Sequence, residues 1–371
     1  MRRHAAFLLL IVVVCAGCAH ATGPAKRPLQ HGWAKVDTKR HAVAVSDEEV
    51  PTSPAATTPP VKPKPLQMLQ RYLPRRRRSR AENNTEVVPC SDDGIRQRSN
   101  YEWVANIGAG SFGHVYMARD RRNQDRLVAI KRQDASKEPG RWVADNEIGV
   151  LKHLRGCACV VQMLTHIKVN HLVYLVLEFL SGGTLGRRIR VQGQICERDA
   201  KRYLARIVRA VDECHVRHII LNDIKPDNMA FDGEDNLKLI DFGLALYCPS
   251  RMMSMSRTTP RYASPEQFEM EDNQIKKRTF DGVAADTWAV GVTLVHMLTG
   301  HDLFPGRGEE EVRRNVVNSL QNQKCLERWQ HLSQGAQQLT QRILQRDPGM
   351  RPSIRDIGLD GWLREGADPQ Q

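Results

Sequence analysis

A chain of 371 residues, 41% of them hydrophobic, can bury a large core, which excludes wholesale disorder. Its formal net charge of +13 favours acidic partners, but much of the excess sits in short runs such as Arg75 to Arg78. No zinc-finger spacing or RNA-recognition signature accompanies them, so no nucleic-acid partner is expected.

Residues 1–21 have the three parts of a secretory signal. Arg2 and Arg3 open it, a short apolar run from Ala5 to Ala16 follows, and Ala19-His20-Ala21 offers small residues for cleavage after Ala21. The run is shorter than the roughly 20 residues a bilayer requires. The sequence predicts a secreted protein, or one held in a secretory organelle, with no stable transmembrane segment once the signal is removed. An uncleaved anchor and a lipid-modified Cys18 are the alternatives. Residues 22–98 read as a leader without order. The prolines of Pro51 to Pro65 are too dense for helix or central strand, Arg75 to Arg80 reads as a basic cleavage site or as an uncut charged arm, and Asn83-Asn84-Thr85 is a glycosylation sequon. Of nine cysteines, Cys15 and Cys18 leave with the signal, so an odd number remains. The irregular spacing gives no disulfide framework, and Cys157 and Cys159 lie too close for the usual zinc pattern.

From Tyr101 the texture changes to short β-branched and aromatic runs, and after about residue 196 to longer helical segments. Strands followed by helices predict an α+β fold of two lobes, a small β-rich one and a larger helical one, over residues 101–363. A polar tail occupies 364–371.

IGAGSFGHV places Gly108, Gly110 and Gly113 between Ile107 and Val115. A dinucleotide-binding turn shares this spacing but requires a helix next. Here HVYMARD alternates like a strand, so the glycines form a flap that lets backbone amides approach phosphate oxygens. In VAIK, which carries Ala129, Lys131 needs a partner to sit in an apolar strand. Glu147 supplies one from a helix whose same face carries Leu151 and Leu154. YLVLEFLSGGTL reads as an interlobe connector. The backbone of Glu178 and Leu180 offers hydrogen bonds to an adenine edge, with Leu177 lining the pocket behind. In LNDIKPDN, Asp223 is placed to accept a hydroxyl proton, Lys225 to neutralise a transferred phosphoryl group and Asn228 to meet Mg²⁺. Asp241 of LIDFG ends an apolar strand as a second oxygen ligand. Taken singly, Asp223 and Asp241 read as turn or cap residues.

This ordered set resembles the eukaryotic-type protein kinase superfamily: glycine loop, V-A-I-K, catalytic loop, D-F-G and, at Ala263-Ser264-Pro265-Glu266, a serine-bearing version of A-P-E. The resemblance implies ATP bound by the glycine loop and Lys131, Asp223 as catalytic base, and Mg²⁺ on Asn228 and Asp241. It also implies that Asp286 braces the catalytic loop and that Arg351 pairs with Glu266. Lys225 and Thr259 resemble the branch that phosphorylates serine and threonine in protein substrates. The oligomeric state is open. Export signal, basic leader and altered catalytic triplet loosely resemble the secreted rhoptry-type kinases of apicomplexan parasites. The rival expectations are a pseudokinase scaffold, which usually lacks a metal ligand or the lysine, and a small-molecule kinase.

Two departures carry expectations. Leu221-Asn222-Asp223 stands where the family commonly has His-Arg-Asp. Asn222 cannot grip a phosphorylated segment as a guanidinium would, so activity is expected not to depend on phosphorylation between Asp241 and Glu266. Ala230 stands where many kinases place a bulky aliphatic residue beneath adenine, which predicts a looser pocket floor.

Overall fold

The computed structural model describes residues 100–110, 113–254, 258–271, 279–318, 327 and 329–365. The signal, nearly all of the leader, Asn83 and the Arg75 to Arg80 run lie outside the described residues.

The small lobe is one antiparallel sheet in the order β1-β2-β3-β5-β4. Its strands are β1 (Tyr101–Gly110), β2 (Gly113–Asp120), β3 (Arg126–Asp134), β4 (Met163–Val169) and β5 (Leu172–Glu178). Side chains alternate across a strand. In β3, Val128 and Ile130 therefore enter a cluster with Tyr101, Ala118, Tyr174 and Val176. Ala129, Lys131 and Gln133 share the opposite face. There they meet α1 (Gly140–His153), which buries Glu147, Ile148 and Leu151. The helical spacing expected of Glu147, Leu151 and Leu154 is borne out, since Glu147 and Leu154 are fully buried and Leu151 nearly so.

The large lobe is helical. The amphipathic α3 (Glu197–Val216) buries Tyr203, Leu204, Ile207, Val211 and Cys214, at steps of three and four. Behind it lies the helix Gly282–Thr299, which is apolar all round and buried along nearly its whole length, as expected of a core helix. Asp281 caps its start by accepting from the amides of Val283 and Ala284. Before α3 comes the short strand β6 (Gly183–Thr184), and between the two helices the chain runs through β7 (Ile219–Ile220), β8 (Met229–Phe231), β9 (Leu237–Leu239), β10 (Leu246–Tyr247) and β11 (Met252–Met253). β6, β8 and β9 form a sheet along the floor of the interlobe cleft, and β7 pairs with β10. α2 (Leu185–Gln192) follows β6 directly. Among the described residues no helix is long and apolar enough to cross a membrane.

Candidate functional site: the interlobe cleft

The glycine flap forms as read. Gly110 faces Gly113 across the β1–β2 hairpin, and Val115 pairs with Lys131 in the next strand. Gly113 has φ +144°, and a β-carbon there would lie 1.8 Å from the Arg132 carbonyl oxygen, so no other residue fits without moving β3.

Lys131 is the first charged group beneath the flap. Its ammonium lies 2.8 and 2.9 Å from the two Glu147 carboxylate oxygens and 2.8 Å from Asp241 Oδ1. Burial pulls the lysine pKa down, but the two carboxylates outweigh it and hold the ammonium above the ordinary lysine range. Desolvation pushes Glu147 upward. Desolvation pushes Asp241 upward too, yet Lys131 draws it below the usual aspartate value. Gln133 Nε2 donates to Glu147 Oε2 at 2.7 Å. The sequence reading missed this second donor. Its only signal was the step of two from Lys131, which puts both on one strand face.

The interlobe connector runs along the cleft. Leu177, Glu178 and Leu180 line the cleft. The Glu178 amide donates to the Gln162 carbonyl at 2.9 Å, so the backbone group it keeps for an adenine edge is its own carbonyl. Its side chain takes Lys238 at 2.8 Å and the Gln162 amide at 2.9 Å, which pins the connector to the large lobe. Ile107, Gly108, Val115 and Ala129 line the cleft from above, and Ala230 and Ile240 from below. The cavity has a volume of about 830 Å³.

Asp223 is held on both oxygens. Oδ2 accepts from Lys225 Nζ at 2.7 Å and from Asn228 Nδ2 at 2.9 Å; Oδ1 accepts from the Thr259 hydroxyl at 2.7 Å and its amide at 3.1 Å. Lys225 also reaches Thr259 Oγ1 at 2.6 Å. The loop beneath is fixed by Asp286, whose oxygens accept the amides of Leu221 and Asn222 at 2.8 Å each. His215 Nε2 lies 2.9 Å from the same carboxylate, a brace the sequence reading did not find. Asn222 sits at φ +62°, a backbone region that asparagine enters more readily than most residues. Its Nδ2 donates to the Leu244 carbonyl at 2.9 Å, so a neutral amide ties the catalytic loop to the start of the following segment. That segment is clamped further on. β11 pairs with the strand Phe280–Asp281, Arg251 meets Asp281 at 3.0 Å, and the Cys248 amide donates to the His218 carbonyl at 2.7 Å. Ser256 and Arg257 lie outside the described residues.

The residues present fit a nucleotide with a hard divalent cation. Among the described residues no three His, Cys, Asp or Glu side chains cluster as an all-protein metal cage. Mg²⁺ bound with phosphates commonly takes only one or two protein oxygens. Asn228 commits its NH₂ to Asp223, which leaves Oδ1 as acceptor; Asp241 commits Oδ1 to Lys131 and the Gly243 amide, which leaves Oδ2. One ammonium among two carboxylates leaves the cluster short of positive charge. A bound divalent cation would supply it.

A β-sheet lobe over a helical lobe, with a lysine–glutamate pair and the tightly held Asp223 between them, defines the class. The protein kinase domain family model matches residues 101–363. The chain belongs to the protein kinase family, whose members use ATP and Mg²⁺. It is similar to CBL-interacting protein kinase 10 of Oryza sativa subsp. japonica, at 32% identity over 73% of this chain and 60% of the relative. It is also similar to CBL-interacting serine/threonine-protein kinase 9 of Arabidopsis thaliana, at 30% identity over 73% of this chain and 59% of the relative. The match thus spans about 60% of those relatives' length.

Proposed function

We propose that this chain is an active protein kinase that transfers the γ-phosphoryl group of ATP to serine and threonine hydroxyls of protein substrates, with Mg²⁺. One observation carries the reading: Asp223 is positioned by Lys225, Asn228 and Thr259 on the same cleft that Lys131, Glu147 and Asp241 enter from the other side.

ATP would supply the phosphoryl group, and Asn228 and Asp241 would hold the Mg²⁺ that neutralises charge on its phosphates. The chain's own residues do the rest. Lys131, oriented by Glu147 and Gln133, offers its ammonium to the phosphates beneath the glycine flap. Asp223 accepts the proton of the substrate hydroxyl. Lys225, 2.7 Å from that carboxylate, offsets charge on the group in flight. Thr259 fixes both residues and marks the serine/threonine branch. All four groups that degenerate scaffolds tend to lose are present and in place, which favours catalysis over a pseudokinase role. We also read residues 1–21 as a signal that routes the protein to secretion; intact mass of the secreted product tests this together with leader cleavage and Asn83 glycosylation. The likeness to rhoptry-type kinases rests on the same leader architecture.

The test of activity is an ATP/Mg²⁺ assay on generic protein substrates with wild type and Asp223→Asn. Loss of a positioned general base costs about 10²- to 10⁴-fold. Undiminished transfer in the variant would remove Asp223 from its role.

A further inference from the structure

The ammonium of Lys131 has three N–H groups, and all three are spent inside the protein: on Glu147 Oε1 at 2.8 Å, on Glu147 Oε2 at 2.9 Å and on Asp241 Oδ1 at 2.8 Å. A phosphate oxygen beneath the flap is met only if one of these bonds is given up. The three acceptors differ in how well they bear that loss. Asp241 Oδ1 keeps the Gly243 amide at 3.1 Å. Glu147 Oε2 keeps Gln133 Nε2 at 2.7 Å, a shorter bond than its own to the lysine. Besides Lys131, Glu147 Oε1 meets the Phe242 amide at 3.5 Å, too far to replace an ammonium. Lys131 can therefore pivot on Oε1 and release the other two oxygens.

Gln133 stands in β3 two residues from Lys131, on the same strand face, and is 1% exposed. Its NH₂ must face the carboxylate, because its own oxygen there would meet like charge. Gln133 Oε1 is buried and meets no hydrogen-bond donor among the described residues. That orphaned acceptor weakens the fold, and an apolar side chain of similar volume would avoid it. The residue is accounted for by what its NH₂ does for Glu147, which is fully buried and cannot turn to water for a partner.

We infer that Gln133 is a positioning residue for the nucleotide phosphates: it keeps Glu147 Oε2 partnered while Lys131 turns an N–H to a phosphate oxygen. The inference rests on the kinase reading above and deepens it at the lysine. The test measures binding of adenosine, ADP and ATP, each with Mg²⁺, to the full chain by calorimetry, as wild type and as Gln133→Met. Methionine is close to glutamine in length and has no N–H to offer. ADP and ATP are expected to bind about tenfold more weakly, with adenosine unchanged, as for loss of one hydrogen bond to a charged group. In the transfer assay KM for ATP rises by a similar factor, while KM for the protein substrate does not move. In a Glu147→Gln background the same substitution is expected to leave the preference for ATP over adenosine where it was. Gln133→His keeps an N–H for Glu147 and is expected to hold the wild-type preference; it carries the test if the methionine variant does not fold. Adenosine weakened as much as ATP, no loss for either, a loss that persists in the Glu147→Gln background, or a preference lost in Gln133→His overturns the inference. A preference for ATP that disappears in Gln133→Met, in a wild type that transfers no phosphate, supports the positioning role and overturns the kinase reading instead.

Discussion

Two buried ion pairs, one in each lobe, are built to opposite specifications. Arg351 in the large lobe is satisfied all round. Its guanidinium holds both Glu266 oxygens at 2.6 and 2.7 Å and donates to the carbonyls of Ala284, Gln345 and Arg346. It also lies over Trp288, 5.0 Å from the ring centroid. Its side chain is 1% exposed. Lys131 in the cleft has one ammonium for two carboxylates, and Asp241 is 32% exposed toward the cavity. The matched pair has nothing left to bind and serves the fold. The unmatched cluster keeps an open charge balance and an open side, as a site for a charged ligand must.

The contrast can be broken first at Arg351. Arg351→Met strands the fully buried Glu266 and is expected to cost about 3–5 kcal/mol of stability, read by chemical denaturation. An unchanged midpoint would mean that Glu266 finds another partner and that the two pairs are not different in kind.

Lys131→Met should show the converse. Phosphate transfer falls about 10²- to 10³-fold, as for loss of a preorganised charge donor. Stability falls less than in Arg351→Met, because Gln133 still serves Glu147 and Asp241 still reaches solvent. Unfolding of the Lys131 variant at the same denaturant concentration would erase the distinction.

A smaller effect sharpens it on the substrate side of Asp223. The segment after Asp241 is held by Asn222, Arg251 and strand pairing. Replacing Ser254, Ser256 and Thr258 together by alanine is expected to lower turnover less than about tenfold, under 1.4 kcal/mol. A hundredfold loss in a folded protein would return the segment to control by phosphorylation.

The smallest expected effect is a pH dependence. Burial lowers the pKa of His296 below 6.5, and Asp302 only partly restores it. The unfolded chain then takes up this proton before the folded one, so the stability present above about pH 6.5 is lost as pH falls through the folded value. Thermal melts of wild type should decline over that range more steeply than those of His296→Gln. Equal slopes would assign the decline to other groups.

How much of this was legible depends on distance along the chain. The partner of Lys131 could be read because Glu147 lies sixteen residues away on a helix whose apolar face is periodic. Gln133 was within the same strand and was missed, because nothing in its neighbourhood distinguishes a donor to Glu147 from an ordinary polar residue. Asn222 was read as an inability to hold phosphate; its hydrogen bond to Leu244, twenty-two residues on, needs the left-handed turn that only the folded loop displays. The close approach of α2 to the loop at Asp227, which Gly186 permits, left no mark either.

The sequence by itself determined the kinds of chemical group and their order: a glycine flap, a lysine in an apolar strand, the Asp223 carboxylate and the side-chain oxygens of Asn228 and Asp241. These follow from spacing and hydrophobic period, which are local. Only the tertiary structure decided which charges are matched and which are left open, because charge balance in a buried site is a sum over neighbours drawn from both lobes. Coulomb interactions and desolvation act through space, and the spacing of motifs along the chain does not encode that sum.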